Sequence, residues 1–341
     1  MTAKAPPPNP YAQLLQYRSH FALHQALCAI AKFGVADAIE RGVHNISDLS
    51  RELSLNERAL YRTLRALAGQ GIFEEFPPLS FRNTPLSSVL RSDVSGSLRS
   101  LFIFGGSEFV SRPFQEFVYS LQTGLPSRHK LSGMDSFAYL AQNPELARVF
   151  DDAMTSSSNL IGPAVAAAYD FSAWERLTDV GGGNGILLSH ILKAHKTIFG
   201  VLADVPHVLD RARERGFFSA EIASRTSLQA CNFFEAIPPG SRAYLMKSVI
   251  HDWDDDKALQ ILRNCRKVIP EDGALLLVEM GLSEPNQPSL GKAIDLYMLV
   301  LTGGLERTVD EYRDLLARAG FCLNRVVPTR TDFVVFESFP A

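Results

Sequence analysis

The sequence predicts a two-part protein: an open, mostly parallel α/β sheet closed at one edge by an antiparallel hairpin, preceded by a mostly helical N-terminal part. Three observations carry this. After Asp170, apolar runs of strand length alternate with runs of helical spacing, giving strand candidates at 177–180, 197–203, 227–230, 243–246 and 274–280. Two more runs, 321–327 and 333–338, are joined only by a short turn between Pro328 and Asp332, too short for a crossover, so they pair antiparallel. The first strand ends in Asp179-Val180-Gly181-Gly182-Gly183-Asn184-Gly185, and Ile186, Leu188, Ile191 and Leu192 follow at helical spacing, which reads as strand, tight turn, helix.

A chain of 341 residues has room for about two domains. The expected division is 11–100, a helical connector at 101–168, and 169–341. A net charge of −3 points to neither nucleic acid nor an anionic membrane surface. No apolar run reaches the roughly 18 residues of a membrane span. The Pro-rich stretch 1–10 contains no apolar signal segment, so the expected location is cytoplasmic. Cys28, Cys231, Cys265 and Cys322 lack the spacing of a zinc site or disulfide framework and are expected to be buried free thiols, with no metal bound.

Residues 11–35 read as a helix in which Leu14, Leu15, Phe21, Leu23, Leu27, Ile30 and Ala31 leave little polar face. Such a helix needs cover on several sides, and a second copy of the chain is the expected source. Residues 46–53, a turn at 54–56 and residues 57–68 form a helix-turn-helix, and 71–76 with Phe81-Arg82 form a wing. Arg58, Arg62 and Arg65 on the second helix could face DNA. Glu52, Glu57, Glu74 and Glu75 around them make the field mixed, which weighs against that use. The stretch 97–170 is helical and carries Phe102, Phe104, Phe109, Phe114, Phe117, Tyr119, Phe137, Tyr139 and Phe150. Most of these are expected in the core and some along an apolar pocket. Met154 is either core filler or a clamp on that pocket. Near the C-terminus, Thr308 with Glu311 forms a capping box.

A turn rich in glycine brings bare backbone close to a ligand. Asp204, about 20 residues past the turn and at the end of the second strand, stands where such sheets place the acid that accepts ribose hydroxyls, so the ligand is a nucleoside. The spacing of Gly181, Gly183 and Gly185 departs from the dinucleotide pattern. Asp179 beside the turn repels a pyrophosphate and suits the ammonium and sulfonium of S-adenosylmethionine. Ligands of open parallel sheets bind beyond the carboxyl ends of the strands, which directs attention to Asn232 and Phe233 for an adenine, to 247–251, and to Glu279. Asp254, Asp255 and Asp256 begin a helix and suit its N-terminus. His251 lies outside any apolar periodicity, in a loop facing the cleft, where it is either a base or an ordinary satisfied histidine.

Together these stretches resemble the O-methyltransferase family that includes caffeate-type and acetylserotonin-type plant enzymes and bacterial secondary-metabolite methyltransferases. The marks are 179–185, Asp204-Val205-Pro206-His207-Val208, Lys247 to Trp253 with its His-Asp-Trp core, and Gly303-Gly304-Leu305-Glu306-Arg307-Thr308. The resemblance implies a Rossmann-like methyltransferase sheet behind a winged-helix dimerisation domain, and hence a homodimer. It implies S-adenosylmethionine bound by Asp179, Gly181, Gly183, Asp204, Asn232, Phe233, Lys247 and Trp253. It makes His251 the base, flanked by Glu279, which would orient the ring, and by Glu306. A small aromatic hydroxylated substrate would meet Phe150, Met154, Asp252 and Met298. Two positions depart from the common pattern: Asn232 stands where the family usually has Asp, and Asn184 where Thr or His is usual, a change that an exposed turn tolerates.

Phenols titrate near pKa 10 and imidazole near 6.5, so proton transfer to a free histidine would be uphill by about 5 kcal/mol, a deficit that neighbouring carboxylates reduce. Two rival readings remain: a dinucleotide-dependent oxidoreductase, which leaves His251, Glu279 and Glu306 without work, and a ligand-sensing regulator built on the winged helix, which requires DNA binding.

Overall fold

Asn9 starts the first helix by accepting the Tyr11 N–H at 3.0 Å, and Pro10 fills a position where no N–H is needed. The structure, a computed structural model, describes residues 9–216 and 218–341. The chain forms two compact units that divide between Ser111 and Arg112.

In the first unit, α1 (Pro10–Phe33) stops where Gly34 turns left-handed at φ +66°, and α2 (Val35–Glu40) begins there, slightly short of the expected end at residue 35. Within one chain, only the C-terminal part of α1 is covered, which leaves the rest to the expected second copy. Cys28, Ile30 and Ala31 are enclosed, whereas Tyr11, Leu14, Leu15, Tyr17 and Phe21 are 63–80% exposed. Next come α3 (Ile46–Glu52), α4 (Glu57–Ala68), and the antiparallel wing β1 (Phe73–Phe76) and β2 (Ser80–Asn83). Asn45 and Asn56 cap the two helices, and Leu60, Leu64 and Leu67 form the buried stripe of α4. That stripe turns Arg58, Arg62 and Arg65 to solvent. Two of the four acids expected around them are engaged elsewhere, Glu52 with Arg41 at 2.5 Å and Glu74 with Arg82 across the wing. The short α5 (Pro85–Ser88) and α6 (Arg99–Gly105) complete the unit, and Arg99 ties α6 to Asp37 of α2 at 3.0 Å.

The helix α7 (Glu108–Gln115) contains the boundary, and α8 (Phe117–Thr123), α9 (Ser127–Ser132), α10 (Ser136–Gln142) and α11 (Pro144–Ala168) follow. These last four belong to the second unit, so most of the stretch read as a separate connector is part of the sheet-bearing body. Buried hydrogen bonds show why: Ser127 Oγ reaches the Val300 carbonyl at 3.4 Å and Ser136 Oγ the Leu301 carbonyl at 2.5 Å. The aromatic stretch also differs from expectation. Phe109 alone of the nine named rings is buried and the others are half-buried.

The sheet contains β3 (Arg176–Val180), β4 (Phe199–Asp204), β5 (Thr226–Ala230), β6 (Ala243–Lys247), β7 (Ala274–Met280), β8 (Phe321–Pro328) and β9 (Phe333–Pro340), in the order β5-β4-β3-β6-β7-β9-β8. The first five are parallel, and β9 runs antiparallel to both β7 and β8. The connecting helices are α12 (Ile186–Ala194), α13 (Pro206–Arg215), α14 (Ala220–Ala223), α15 (Asp255–Val268), α16 (Leu290–Leu301) and α17 (Val309–Arg318), the last with the expected Thr308–Glu311 capping box. Apolar layers cover both faces, one built on Leu177, Leu188 and Ile191, the other on Tyr244, Ile261 and Phe336. Strand order reverses between β3 and β6, which opens a crevice at their carboxyl ends. Cys28, Cys231 and Cys265 are buried, but Cys322 is exposed because β8 is an edge strand with an uncovered face. No helix among the described residues is long and apolar enough to cross a membrane.

Candidate functional site

The crevice is floored by the glycine turn between β3 and α12. Gly181 has φ +68° and Gly183 φ +58°, a backbone that side-chain-bearing residues avoid. A Cβ on Gly181 would lie 3.0 Å from Val249 and 3.5 Å from the Phe233 ring, whereas the same position on Gly183 faces open space. Asp204 closes the turn from β4, its Oδ2 accepting the Gly183 N–H at 2.8 Å and its Oδ1 the Val205 N–H at 2.7 Å. Burial pushes the Asp204 carboxyl up. Asp179 lies beneath the turn, 1% exposed, and neither of its oxygens has a hydrogen-bond partner. Burial raises it to about 7, with Lys247 opposing and Asp204 adding to the shift. An orphaned acid under an open glycine cradle fits a cationic ligand whose ammonium can answer it.

Asn184 departs from the expectation of an exposed turn: it is 8% exposed, and its Nδ2 donates to Thr155 Oγ1 of α11 at 2.9 Å. Other α11 side chains reach the same body. Asp151 pairs with Arg211 at 2.5 Å, Asp152 with Arg215, Ser158 Oγ accepts from Lys247 Nζ at 3.2 Å, and Asn159 meets His190 at 3.2 Å. Met154 is half-buried on this helix.

Phe233 and Trp253 come together beside the turn, with ring centroids 6.2 Å apart, and Phe234 meets Trp253 edge-on at 4.7 Å. Phe150 is linked to them through Phe137, which lies 6.4 Å from Phe150 and 5.5 Å from Trp253. Asn232 turns part of its amide back on its own loop. It is exposed, its Nδ2 donates to Glu235 at 2.8 Å and its Oδ1 accepts the Phe234 N–H at 3.2 Å, so the side chain closes its own turn. Met298 is buried in α16 with its sulfur 3.8 Å from Thr302 Oγ1.

His251 sits in a single 3-10 turn, Ile250–Asp252, just beyond β6. Its Nδ1 meets Glu306 Oε1 at 2.7 Å, and its Nε2 lies 3.8 Å from Asp252 Oδ1. The role expected of Glu279 changes. Glu306 orients the ring, while Glu279 Oε1 accepts the N–H groups of Val249 at 3.1 Å and Ile250 at 2.9 Å, because these amides are the nearest donors to an acid on the buried end of β7. Burial alone would lower the His251 pKa, but the charges of Glu279 and Asp252 and the hydrogen bond to Glu306 overcome it and raise the group to about 10. Burial raises Asp252 to about 6 and Glu279 to about 7. It lowers Lys247, against the pull of Glu279, Asp179 and Asp252. The groups named as base and flanking acids therefore share one electrostatic cluster with Asp179 and Lys247.

Two elements of the site were missed in the sequence. A Cβ on Gly304 would fall 2.0 Å from the His251 carbonyl, so only glycine lets this loop lie flat on the base's turn. Asp295 Oδ1 accepts the Glu306 N–H at 2.8 Å and fixes the acid's backbone. Adjacent glycines beside a candidate acid were a signal for the first, whereas nothing in the sequence marked the second. Among the described residues, no group of three or more His, Cys, Asp or Glu side chains is placed to hold a metal ion.

Similarity to known proteins extends over nearly the whole chain. Residues 115–322 match the O-methyltransferase domain, and residues 15–93 match the O-methyltransferase dimerisation domain. Phenazine O-methyltransferase PhzM of Lysobacter antibioticus is 38% identical over 96% of this chain and 95% of its own. Phenazine-1-carboxylate N-methyltransferase of Pseudomonas aeruginosa is 31% identical over 89% of this chain and 90% of its own. Among solved structures, LaPhzM superposes with a TM-score of 0.92 at 37% identity, covering 98% of this chain and 100% of that one. The O-methyltransferase NcsB1 from neocarzinostatin biosynthesis, in complex with S-adenosylmethionine and 2-hydroxy-5-methyl naphthoic acid, has a TM-score of 0.79 at 29% identity, over 93% of this chain and 96% of that one.

Proposed function

The chain belongs to the O-methyltransferase family, as an S-adenosylmethionine-dependent enzyme, and from that premise we propose that it methylates a phenolic hydroxyl of a small, flat aromatic metabolite with His251 as general base. The observation that carries this reading is the hydrogen bond of His251 Nδ1 to Glu306, which leaves Nε2 as the nitrogen that takes a proton. When bound, S-adenosylmethionine supplies an electrophilic methyl on a cationic sulfur, and the leaving group is a neutral thioether, so the reaction calls for no Lewis acid.

In this reading the acceptor O–H gives its proton to His251 Nε2 as its oxygen bonds to the methyl carbon. Glu306 keeps the ring turned and, with Glu279 and Asp252, stabilises the imidazolium. With its pKa raised to about 10 by the surrounding carboxylates, neutral His251 matches a phenol near 10 as a base, while at pH 7 the ring is mostly protonated and must first release that proton to solvent. Asp204 would take the ribose hydroxyls, Asp179 the ammonium, and Phe233 with Trp253 the flat base. Gly183 leaves the backbone open to the cofactor, Gly181 lets the turn pack against Val249 and Phe233, and Lys247 balances the surrounding acids. Asn232 would offer the flat base the N–H and the lone pair that Glu235 and Phe234 leave free. Half-buried Phe150 and Met154, with Asp252 and Met298, are proposed on the acceptor side, where half-exposed rings suit an aromatic plane.

The test is transfer of labelled methyl from S-adenosylmethionine to a hydroxyphenazine and a hydroxynaphthoate, alongside the corresponding amino compounds. Label on the hydroxyl, with the amino compound at least about tenfold slower, is the expected result, since the base turns the hydroxyl toward a phenolate nucleophile while a neutral arylamine, its lone pair delocalised into the ring, gains nothing from that base. Label on nitrogen alone would overturn the oxygen reading.

The exposed flank of α1 is proposed to be covered by a second copy, consistent with the dimerisation domain matched at residues 15–93. Light scattering at micromolar concentration should give the mass of two chains. The mass of one chain, with normal activity, would sink the assembly.

A further inference from the structure

Arg307 is fully enclosed, 1% exposed, and a guanidinium out of water needs its donors answered. The backbone around His251 answers them. Nη1 donates to the Ile250 carbonyl at 3.3 Å and to the Leu305 carbonyl at 3.4 Å, and Nη2 donates to the Trp253 carbonyl at 3.0 Å. Nε and Nη2 also donate to Asp255 Oδ1, at 3.2 and 2.8 Å. One side chain therefore grips the residue before His251 and the second residue after it.

The rest of the turn is fixed in a complementary way. Glu279 takes the amides of Val249 and Ile250, and the Leu305 N–H donates to the His251 carbonyl at 2.9 Å. The segment carrying Arg307 is itself tied to the end of β7, where the Leu282 N–H donates to the Arg307 carbonyl at 3.1 Å. The short 3-10 turn makes only two repeating hydrogen bonds of its own, from the Asp252 N–H to the Val249 carbonyl and from the Trp253 N–H to the Ile250 carbonyl, both at 3.3 Å, and specific side chains answer much of the rest, an acid for its amides and an arginine for its carbonyls.

We propose that Arg307 is a positioning residue for methyl transfer: it holds the backbone on both sides of His251 so that the imidazole, Glu306 and Trp253 keep one arrangement. Lysine cannot replace it, because one ammonium cannot fork to the carbonyls of residues 250 and 253 and to Asp255 together. The inference rests on His251 acting as base, and it adds a residue that touches neither acceptor nor cofactor.

The test compares Arg307→Lys, Asp255→Asn and His251→Ala on a hydroxyphenazine and on a nitro-substituted hydroxyphenazine that is ionised at neutral pH. Proton NMR follows the downfield resonance of the His251–Glu306 hydrogen bond. Arg307→Lys should lower kcat on the first acceptor about tenfold or more and on the second less than about threefold, leave the acceptor KM within about threefold, and shift or broaden the resonance. Asp255→Asn, a change at a half-exposed carboxylate, should give the same pattern at about two- to fivefold. Equal losses on both acceptors with an unmoved resonance would overturn the proposal, as would unchanged rates. If the lysine variant is insoluble, a wild-type ratio of the two rates in Asp255→Asn overturns it equally. Equal losses in His251→Ala would instead overturn the base reading, so the two failures are separable.

Discussion

His251→Ala should lower kcat on a simple hydroxyarene about a hundred- to ten-thousandfold, the usual contribution of a general base, while S-adenosylhomocysteine affinity by calorimetry stays nearly intact. The two effects separate because the imidazole is hydrogen-bonded to Glu306 and stands beside Asp252, whereas the open glycine turn is closed by Asp204. The loss should shrink on an acidic acceptor, since a nitro-substituted hydroxyarene is already ionised near neutral pH. The pH profile gives a second check. With its pKa raised to about 10, His251 is mostly protonated at pH 7, and its neutral form grows about tenfold per pH unit until that pKa is approached. For a neutral acceptor, kcat/KM of the wild-type enzyme should therefore rise between about pH 7 and 9, while for the ionised acceptor it should stay nearly flat. Full rate in the variant on a simple hydroxyarene, or equal loss on both acceptors, would leave His251 a structural residue.

Where local chemistry fixed an element, the sequence was readable. All seven strands of the main sheet stand where period and length put them, and Thr308 with Glu311 caps its helix because a capping box needs only neighbours in sequence. The ordering of β3 beside β6 could be expected only from the general behaviour of α/β sheets, yet it is what brings Asp179, Lys247 and His251 together. The errors share a cause, namely contacts between residues far apart in the chain. Asn184 looked like an exposed turn residue because Thr155, 29 positions away, was invisible as its partner. Glu279 and Glu306 were both legible as acids near the base, but which one would meet the ring depended on Gly304 allowing its loop to lie on the His251 carbonyl. Asn232 differs from these in that its partners, Phe234 and Glu235, are its neighbours, and they use one donor and one acceptor site of an amide that has two of each.

Asp204→Ala should weaken S-adenosylhomocysteine binding about ten- to a hundredfold, because a hydrogen bond to a charged acceptor contributes about 1.5–3 kcal/mol and each 1.4 kcal/mol is a factor of ten. Two routes lead to that loss. The carboxylate would no longer meet the ribose hydroxyls, and the N–H groups of Gly183 and Val205, held at 2.8 and 2.7 Å, would lose their acceptor, so the cradle itself would loosen. Asp204→Asn separates the routes only partly, since its Oδ1 can keep one of those N–H groups while its Nδ2 opposes the other. Its affinity should fall between those of the wild type and the alanine variant. The free enzyme should lose about 1–3 kcal/mol of folding stability, because the Gly183 and Val205 N–H groups lose their acceptor, offset in part by the removal of a buried carboxylate whose ionised form is disfavoured. Thermal unfolding with and without ligand then gives an independent measure of binding. At a ligand concentration about a hundred times the wild-type Kd, the wild-type protein gains about 2.7 kcal/mol, whereas a variant a hundredfold weaker gains only about 0.4 kcal/mol. If both the calorimetric affinity and the ligand-induced stabilisation stay at the wild-type level, the ribose lies elsewhere and Asp204 serves only the turn.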